Sequence, residues 1–94
     1  MFFQSGSALI NSAMYPQSKY TSPVKILFPV AFSSTPTLNI SLWVGTNTSM
    51  AHACIVGFSA LDSTGFYATF YNSNPTITVP ENHVGYNYTA FGAY

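Results

Sequence analysis

The chain has 94 residues and a mass of 10.2 kDa, which is the size of a single domain. Only 4% of its residues are charged and the charges sum to zero, which excludes nucleic-acid binding because phosphate contacts need many Lys and Arg side chains. A content of 48% hydrophobic and 17% aromatic residues excludes disorder, and no apolar run is long enough for membrane insertion.

Residues 1–23 show no regular hydrophobic period, and their Ser, Gly and Asn residues with Pro16 and Pro23 indicate turns and irregular chain. A short strand is predicted around Ser7–Asn11. We therefore assign 1–23 as an N-terminal lead-in or clasp between subunits, and 24–94 as a β-sandwich tip domain. No signal peptide is predicted, since the first residues lack a basic region and a long apolar run.

From residue 24 onward, apolar and polar residues alternate in short segments separated by turn signals. The alternating segments predict six strands, at Val24–Phe28, Leu38–Leu42, Ala53–Phe58, Phe66–Tyr71, Thr76–Pro80 and Tyr86–Phe91. No window has the apolar spacing of an amphipathic helix. The predicted fold class is therefore all-β, an antiparallel β-sandwich of about six strands.

Large aromatic residues occupy positions that the alternation assigns to the polar faces, namely Trp43, Tyr67, Tyr71 and Phe91. Exposed aromatic patches of this kind are explained either by burial between subunits or by sugars that stack on them. The lone Cys54 cannot form an internal disulfide, and a chain this short buries only about 60–65% of its unfolded surface. Composition therefore predicts an oligomeric β-protein.

Three segments resemble the C-terminal domains of phage tail fibres. Ile26–Phe32 with Pro36 is similar to the pattern hydrophobic-x-Phe-Pro-x-x-Phe-x-x-x-Pro, and Gln4–Ile10 is similar to the Gly-Leu-Ile-like segment that precedes it. Tyr88–Tyr94 resembles the terminal signature Trp-x-Ala-x-Gly-Tyr, with Tyr88 in place of Trp and one extra residue before the last Tyr. These domains resemble H-type lectins, and Val56–Phe58 with Thr64–Phe66 is similar to the lectin strand-turn-Gly-Phe-strand pattern.

The resemblance implies a six-stranded sandwich that assembles as a homotrimer at the tip of a virion fibre, below an upstream fibre shaft. It implies a protein made in the host cytoplasm that helps the virion recognise the host surface. The Arg that H-type lectins use for galactose-type sugars is absent from the third strand, where only Met50 and His52 are near, so that specificity is not carried over. A start at Met1 without a shaft is expected for a fragment or an internal product of a longer fibre gene.

No catalytic, metal or cofactor site is predicted. Sugar hydrolysis needs two carboxylates, and Asp62 and Glu81 form the one available pair. Asp62 lies in a turn signal, where Asp is favoured for hydrogen bonding to the backbone. His52 and Cys54 share a strand face, but two isolated histidines in the chain do not make a metal site.

Sugar recognition is the positive hypothesis, since sugars pack on aromatic rings and bond to Asn, Ser and Thr. Candidate contacts with a bacterial surface glycan or another host receptor are Trp43, His52, Tyr71, Asn72, Asn74 and Tyr86. They are expected around the loops Gly45–Met50, Asn72–Pro75 and Glu81–Gly85. The alternative is a trimerisation cap without a ligand, which keeps an upstream fibre or depolymerase in register.

Overall fold

Seven β-strands form the regular structure of the computed structural model, which describes residues 2–44 and 54–94. They are β1 (Phe2–Leu9), β2 (Ser18–Thr21), β3 (Ile26–Leu27), β4 (Thr37–Val44), β5 (Cys54–Ser59), β6 (Gly65–Asn72) and β7 (Val84–Gly92). These described ranges contain no helix, so no helical span long and apolar enough to cross a membrane is found in them. The predicted all-β, antiparallel class is confirmed.

The first sheet has β7 at its centre, with β1 and β4 antiparallel on either side. Its register pairs Gly6 with Tyr88 on one edge and Ile40 with Tyr88 on the other. The first and last strands of the chain therefore lie side by side, and the stacked rings of Phe2 and Tyr94, 4.3 Å apart, extend this contact to the termini.

The second sheet is built around β6. β5 and β2 pair with overlapping residues of β6 and so lie on its two edges, while β3 pairs with the beginning of β6. The pairings of β2 and β3 are offset from each other by two residues around Pro23, which has no N–H to donate. Ser22 maintains the ladder at this bulge, because its N–H donates to the Ala68 carbonyl and its Oγ accepts the Ala68 N–H at 3.0 Å.

The core lies between the inward faces of β6 and β7. Phe66 is fully buried, and its ring centroid lies 5.1 Å from that of Tyr88, 5.9 Å from that of Phe28 and 6.2 Å from that of Tyr86. Phe28 and Phe32 pack edge to face at 5.2 Å under the same cluster. Aromatic pairs in such geometries add stabilisation beyond the area they bury.

The two segments that carry the tail-fibre resemblance meet in this core. Phe32 packs against Tyr94 with ring centroids 5.4 Å apart, and the Ser33 N–H donates to the Ala93 carbonyl at 2.8 Å. Gln4 of β1 holds the same region, since its side-chain amide donates to the Val30 carbonyl and accepts the Val30 N–H. The Phe-Pro-x-x-Phe stretch and the C-terminal signature are therefore core-forming segments.

Several local predictions are corrected. The short strand predicted at Ser7–Asn11 is instead the longer β1 strand, and β2 lies in a segment predicted to be irregular. Both strands pair with strands from 24–94. The division of the chain after residue 23 and a clasp between subunits by residues 1–23 stay predictions.

Two further corrections concern predicted strands that are flanked by proline. The strand predicted at Val24–Phe28 is reduced to the two residues of β3. The strand predicted at Thr76–Pro80 is absent, and a single bridge joins Val79 to Met14. Asn74 explains this absence, because its Oδ1 accepts the backbone N–H groups of Thr76 and Ile77 at 2.9 Å and removes them from a ladder.

Candidate functional site

The two sheets pack through their inward faces, so each presents one face outward. The side chains that face outward are those of Tyr67, Thr69 and Tyr71 on β6 and of Asn87, Thr89 and Phe91 on β7. Gly65 and Gly85 have the same phase but are buried by neighbouring backbone. We call the surface over β2, β6 and β5 the groove face, and the surface over β1, β7 and β4 the uncharged face. Each face includes strands that are far apart in sequence.

A groove of about 390 Å³ runs across β6 on the groove face. Cross-strand pairing builds it from two rows of outward side chains, Lys19–Tyr71–Ile55 and Thr21–Thr69–Gly57. Directly opposite residues on antiparallel strands have Cβ atoms about 4.5–5.5 Å apart, so the side chains of each row are in contact distance. The volume lies within the roughly 300–1,000 Å³ of small-molecule sites.

Gly57 has no side chain, so the groove is deeper at the end where Gly57 lies. A Cβ atom added at Gly57 would lie 3.4 Å from Thr69 Oγ1, which is ordinary contact distance, so the space above it is open. Tyr71 is half-buried and Ile55 is 61% exposed, so the Lys19–Tyr71–Ile55 row supplies an aromatic and an aliphatic wall. The groove therefore combines flat apolar walls with two hydroxyl groups at its base.

Lys19 is the single charged residue that lines the groove. The other lysine, Lys25, forms an ion pair with Asp62, whereas the described residues provide no ion-pair partner for Lys19. No carboxylate lines the groove. An uncompensated ammonium group at one end of the groove gives it a positive potential.

The uncharged face carries no ionisable acid or base at any of its outward positions. In register across β1, β7 and β4, its outward rows are Phe3–Phe91–Thr37, Ser5–Thr89–Asn39, Ser7–Asn87–Ser41 and Leu9–Gly85–Trp43. Its middle rows are small hydroxyl and amide side chains, and its two ends are apolar. The rings of Phe3 and Phe91 lie 5.8 Å apart, and Phe3 is 68% exposed.

Of the predicted ligand contacts, the groove contains Tyr71. Trp43 is partly exposed and lies on the uncharged face, on the other side of the molecule. Both residues face outward, as the alternation predicts, but the two sheets separate them. His52 and the loop Gly45–Met50 lie outside the described residues.

Asn72 is buried in a structural position, contrary to its prediction as a ligand contact. Its side-chain amide donates to the carbonyls of Met14 and Ile77 at 3.1 and 2.8 Å, and its Oδ1 accepts the Asn74 N–H at 3.1 Å. Asn72 is fully buried, so a ligand does not reach it. Asn74 is likewise used locally, because its Oδ1 accepts the N–H groups that fold the following turn.

Tyr86 is a core residue, although the sequence makes it a candidate contact. Its ring packs against Phe66 and Phe70, and its side chain is 8% exposed. Burial raises the pKa of the Tyr86 hydroxyl, and the neighbouring Tyr88 and Tyr20 raise it further. Tyr86 therefore holds the two sheets together.

Asp62 and Lys25 fix the turn between β5 and β6. The Asp62 carboxylate accepts the Thr64 N–H at 2.8 Å and the Gly65 N–H at 3.1 Å, in addition to its ion pair with Lys25. The Lys25 ammonium, followed by the Thr64 hydroxyl and N–H, holds the pKa of Asp62 well below its ordinary value of 3.8. These contacts give Asp62 a turn-stabilising role.

Metal ligands do not cluster in the part of the chain that the structure describes. No three His, Cys, Asp or Glu side chains there come close enough to hold a metal ion. Burial raises the pKa of the Cys54 thiol, which disfavours the thiolate form that binds metals.

The sequence does not identify the groove residues other than Tyr71, which are Lys19, Tyr20, Thr21, Ile55, Val56, Gly57, Thr69 and Phe70. Thr69 and Tyr71 share the outward phase of one alternating strand, and this signal is present in the sequence. Lys19 lies in a segment without periodicity, and its position beside Tyr71 depends on a pairing across about 50 residues of chain. No local pattern predicts that pairing.

Three solved structures share the fold. A P. aeruginosa R1 pyocin fibre fragment comprising C-terminal residues 323–701 matches with a TM-score of 0.71 at 16% identity, over 96% of this chain and 22% of that one. An N-truncated R1-type pyocin tail fibre matches with a TM-score of 0.69 at 15% identity, over 96% of this chain and 69% of that one. The tailspike gp61 of Pseudomonas phage phi297 matches with a TM-score of 0.66 at 9% identity, over 94% of this chain and 15% of that one.

At these identities the likeness shows the fold. The chain has a tail-fibre-like fold, and the predicted resemblance to phage fibre domains is confirmed at that level. The chain spans about a fifth of the first pyocin fibre fragment and a smaller share of the tailspike. No protein-family model matches the sequence, and no curated protein is significantly similar to it.

Proposed function

We propose that the chain is the tip domain of a phage-type tail fibre and binds a glycan on the bacterial surface through the groove over β6. The groove carries this proposal, because Tyr71 offers a ring for the apolar face of a sugar and Thr21 and Thr69 offer hydroxyl partners. The tail-fibre-like fold supports the context of a virion component that attaches to a host. The resemblance to H-type lectins supports a carbohydrate as the ligand.

The groove differs from a catalytic cleft in its chemistry. The described residues that line it include no carboxylate, histidine or cysteine, and Asp62 is engaged in a turn. Most glycoside hydrolases use a pair of carboxylic acids at the scissile bond. We therefore propose adsorption without cleavage as the activity of this site.

The test is adsorption of the fluorescently labelled chain to a panel of bacterial strains, before and after mild periodate oxidation of their surface sugars. We expect binding to at least one strain, loss of that binding after periodate, and persistence after protease treatment. Binding that survives periodate and disappears after protease contradicts a glycan receptor. The absence of adsorption to every strain contradicts receptor binding itself.

Groove variants connect that adsorption to the site. Gly57→Val adds an isopropyl group over the open floor, and Tyr71→Ala removes the aromatic wall, so both should weaken adsorption. Tyr67→Ala is the matched control, since Tyr67 faces outward on the same strand but does not line the groove. Equal adsorption by all three variants would place the receptor contact elsewhere on the domain.

A second candidate function, trimerisation that keeps an upstream fibre in register, is favoured by the uncharged face. Its outward rows contain no charge, and its ends expose Phe3 and Trp43 at 68% and 39%. Faces of this composition associate readily, since no ion has to be desolvated and nothing repels an identical copy. The groove face is less suited to the contact, because burying Lys19 without a partner is costly.

The mass in solution tests this candidate. Light scattering at micromolar concentration should give a mass near three protomers for the unchanged chain. Asn87→Lys puts a charge at the centre of the uncharged face and should give a monomer, while the control Ser59→Lys adds the same charge at an exposed position of the groove face and should not. A monomeric unchanged chain, or a trimer that tolerates Asn87→Lys, contradicts assembly through this face.

A further inference from the structure

The charge distribution around the groove points to a narrower class of ligand, and this inference rests on the proposed function. We propose that the groove selects sugars that carry an anionic group, either a carboxylate or a phosphate. Tyr71 would contact the ring of the sugar, and Lys19, its neighbour across the β2–β6 pair, would bind the anionic group.

The first step of the argument is the scarcity of charge. The chain has two lysines, no arginine and two carboxylates, and the Lys25–Asp62 pair consumes one charge of each sign. Lys19 therefore supplies the single formal charge that lines the groove, and its nearest groove neighbours are neutral. Nothing in the lining competes with a ligand anion for the ammonium group.

The second step is the position of Lys19 beside an aromatic ring. Lys19 and Tyr71 are directly paired on antiparallel strands, so their side chains leave the sheet side by side on one face. A pyranose bearing a carboxylate or phosphate has an apolar ring face and a charged substituent within a few ångströms of each other. The Lys19–Tyr71 pair presents the complementary features at that spacing.

The third step is the row of small residues next to this pair. Thr21, Thr69 and Gly57 leave space beside the ring of Tyr71 and place two hydroxyl groups there. These hydroxyls are neutral donors and acceptors that suit the remaining hydroxyls of the sugar. Lys19 is therefore the residue that distinguishes anionic from neutral sugars, and the rest of the groove contributes contacts that a neutral sugar would also make.

The experiment uses an array of bacterial surface oligosaccharides in which each acidic member is printed beside its carboxyl-reduced or dephosphorylated counterpart. We expect the chain to bind acidic members at least tenfold better than their neutral counterparts, which is the size expected for a charge-assisted hydrogen bond of about 1.5 kcal/mol. Carboxyl-bearing and phosphate-bearing members distinguish the two sources of anionic charge. The preference should weaken in about 1 M salt, where the screening length falls to roughly 3 Å.

Variants at the two lysines assign the preference to the groove. Lys19→Gln should remove the preference for acidic members, while Lys19→Arg should retain it. Lys25→Gln, which removes the same charge outside the groove, should keep the preference. The mass in solution, measured for each variant, shows that a change in binding does not come from altered assembly.

The outcomes separate this inference from the proposed function. Binding to neutral members alone, or equal binding to both members of each pair, overturns the anionic class and leaves a glycan-binding groove. An acidic preference that Lys19→Gln retains also overturns it, since the charge would then come from elsewhere. Binding to no oligosaccharide contradicts both this inference and the proposed glycan receptor.

Discussion

The two outward faces of the domain share one construction and differ in the chemistry of their central strand. On the groove face, β6 presents Tyr67, Thr69 and Tyr71, and its neighbours add a lysine and a glycine that leaves space. On the uncharged face, β7 presents Asn87, Thr89 and Phe91 between two strands with similar small side chains. Alternation decides which residues face outward, and the identity of those residues decides the shape and the charge of each face.

We propose that the two faces have different roles. The uncharged face has apolar ends and a small depression of about 140 Å³ lined in part by Asn39, Asn87 and Thr89. It fits another copy of the chain, since no ion on it has to be desolvated and its hydroxyl and amide groups can form hydrogen bonds across the contact. A groove with a cation and an aromatic wall fits a ligand, and burial against a copy would leave its charge unpaired. The same fold can therefore offer one surface for assembly and one for recognition.

The largest expected effect comes from breaking the core that the two faces share. Phe66→Ala removes a fully buried ring that contacts Phe28, Tyr86 and Tyr88, so the free energy of unfolding should fall by about 3–5 kcal/mol. Because this loss is a large part of the about 5–15 kcal/mol by which native domains are stable, both faces should be destabilised together. Urea unfolding at a fixed protein concentration measures the change.

The control for this substitution is Tyr15→Ala, which removes an aromatic side chain that is 68% exposed and lies between β1 and β2, outside both faces. Surface changes of this kind usually alter the free energy of unfolding by about 0.5 kcal/mol or less. A Phe66→Ala variant as stable as Tyr15→Ala would mean that the two sheets do not pack as described.

Much of the core could be predicted from alternation, because a strand with one buried face repeats every two residues. The inward phase of Leu38 and Ile40, of Phe66 and Phe70, and of Tyr88 is the phase that the sequence predicts. Trp43 and Tyr71 also face outward as predicted. What alternation cannot supply is which strands become neighbours.

The groove illustrates that limit. Residues 57 and 69 come from consecutive strands, but residue 19 comes from β2, which pairs with β6 over a long distance in sequence. Asn72 shows the complementary error, since an Asn next to a turn and a proline is typical of an exposed loop. Its burial follows from backbone carbonyls that need a donor, and two of them, those of residues 14 and 15, come from a distant part of the chain.

Substituting one glycine on each face should change the free energy of unfolding by an intermediate amount and should distinguish the two faces. A Cβ atom added at Gly85 would lie 2.0 Å from the Ala8 carbonyl oxygen and 2.7 Å from Leu9 Cα, so β1 must move away from β7. Gly85→Ala should therefore lower the free energy of unfolding by about 1–3 kcal/mol, as overpacking does. Gly57→Ala meets only Thr69 Oγ1 at 3.4 Å and should leave stability unchanged or raise it by up to about 1 kcal/mol.

Thermal unfolding and amide exchange in β1 test this pair of substitutions. Gly85→Ala should speed exchange at the end of β1 near Leu9, whereas Gly57→Ala should not affect β1. Equal stability of the two variants would contradict the close approach of β1 to β7. A strongly destabilised Gly57→Ala variant would contradict the open floor of the groove.

The smallest expected effect concerns the turn that leads into β6 and so orients the groove face. Asp62 is ionised in the folded chain at pH values where the unfolded chain is protonated, because Lys25 and Thr64 hold the pKa of Asp62 well below 3.8. The unfolded state therefore binds more protons at acid pH, so the stabilisation is full above pH 3.8 and is lost progressively as the pH falls below it.

Asp62→Asn should lower the melting temperature at pH 7, and the difference in melting temperature from the unchanged chain should narrow below pH 3.8. Glu81→Gln removes the other carboxylate, from an exposed loop position, and should change the melting temperature little at pH 7. A gap for Asp62→Asn that stays constant down to acid pH would show that the turn owes its stability to the shape of the side chain rather than to its charge.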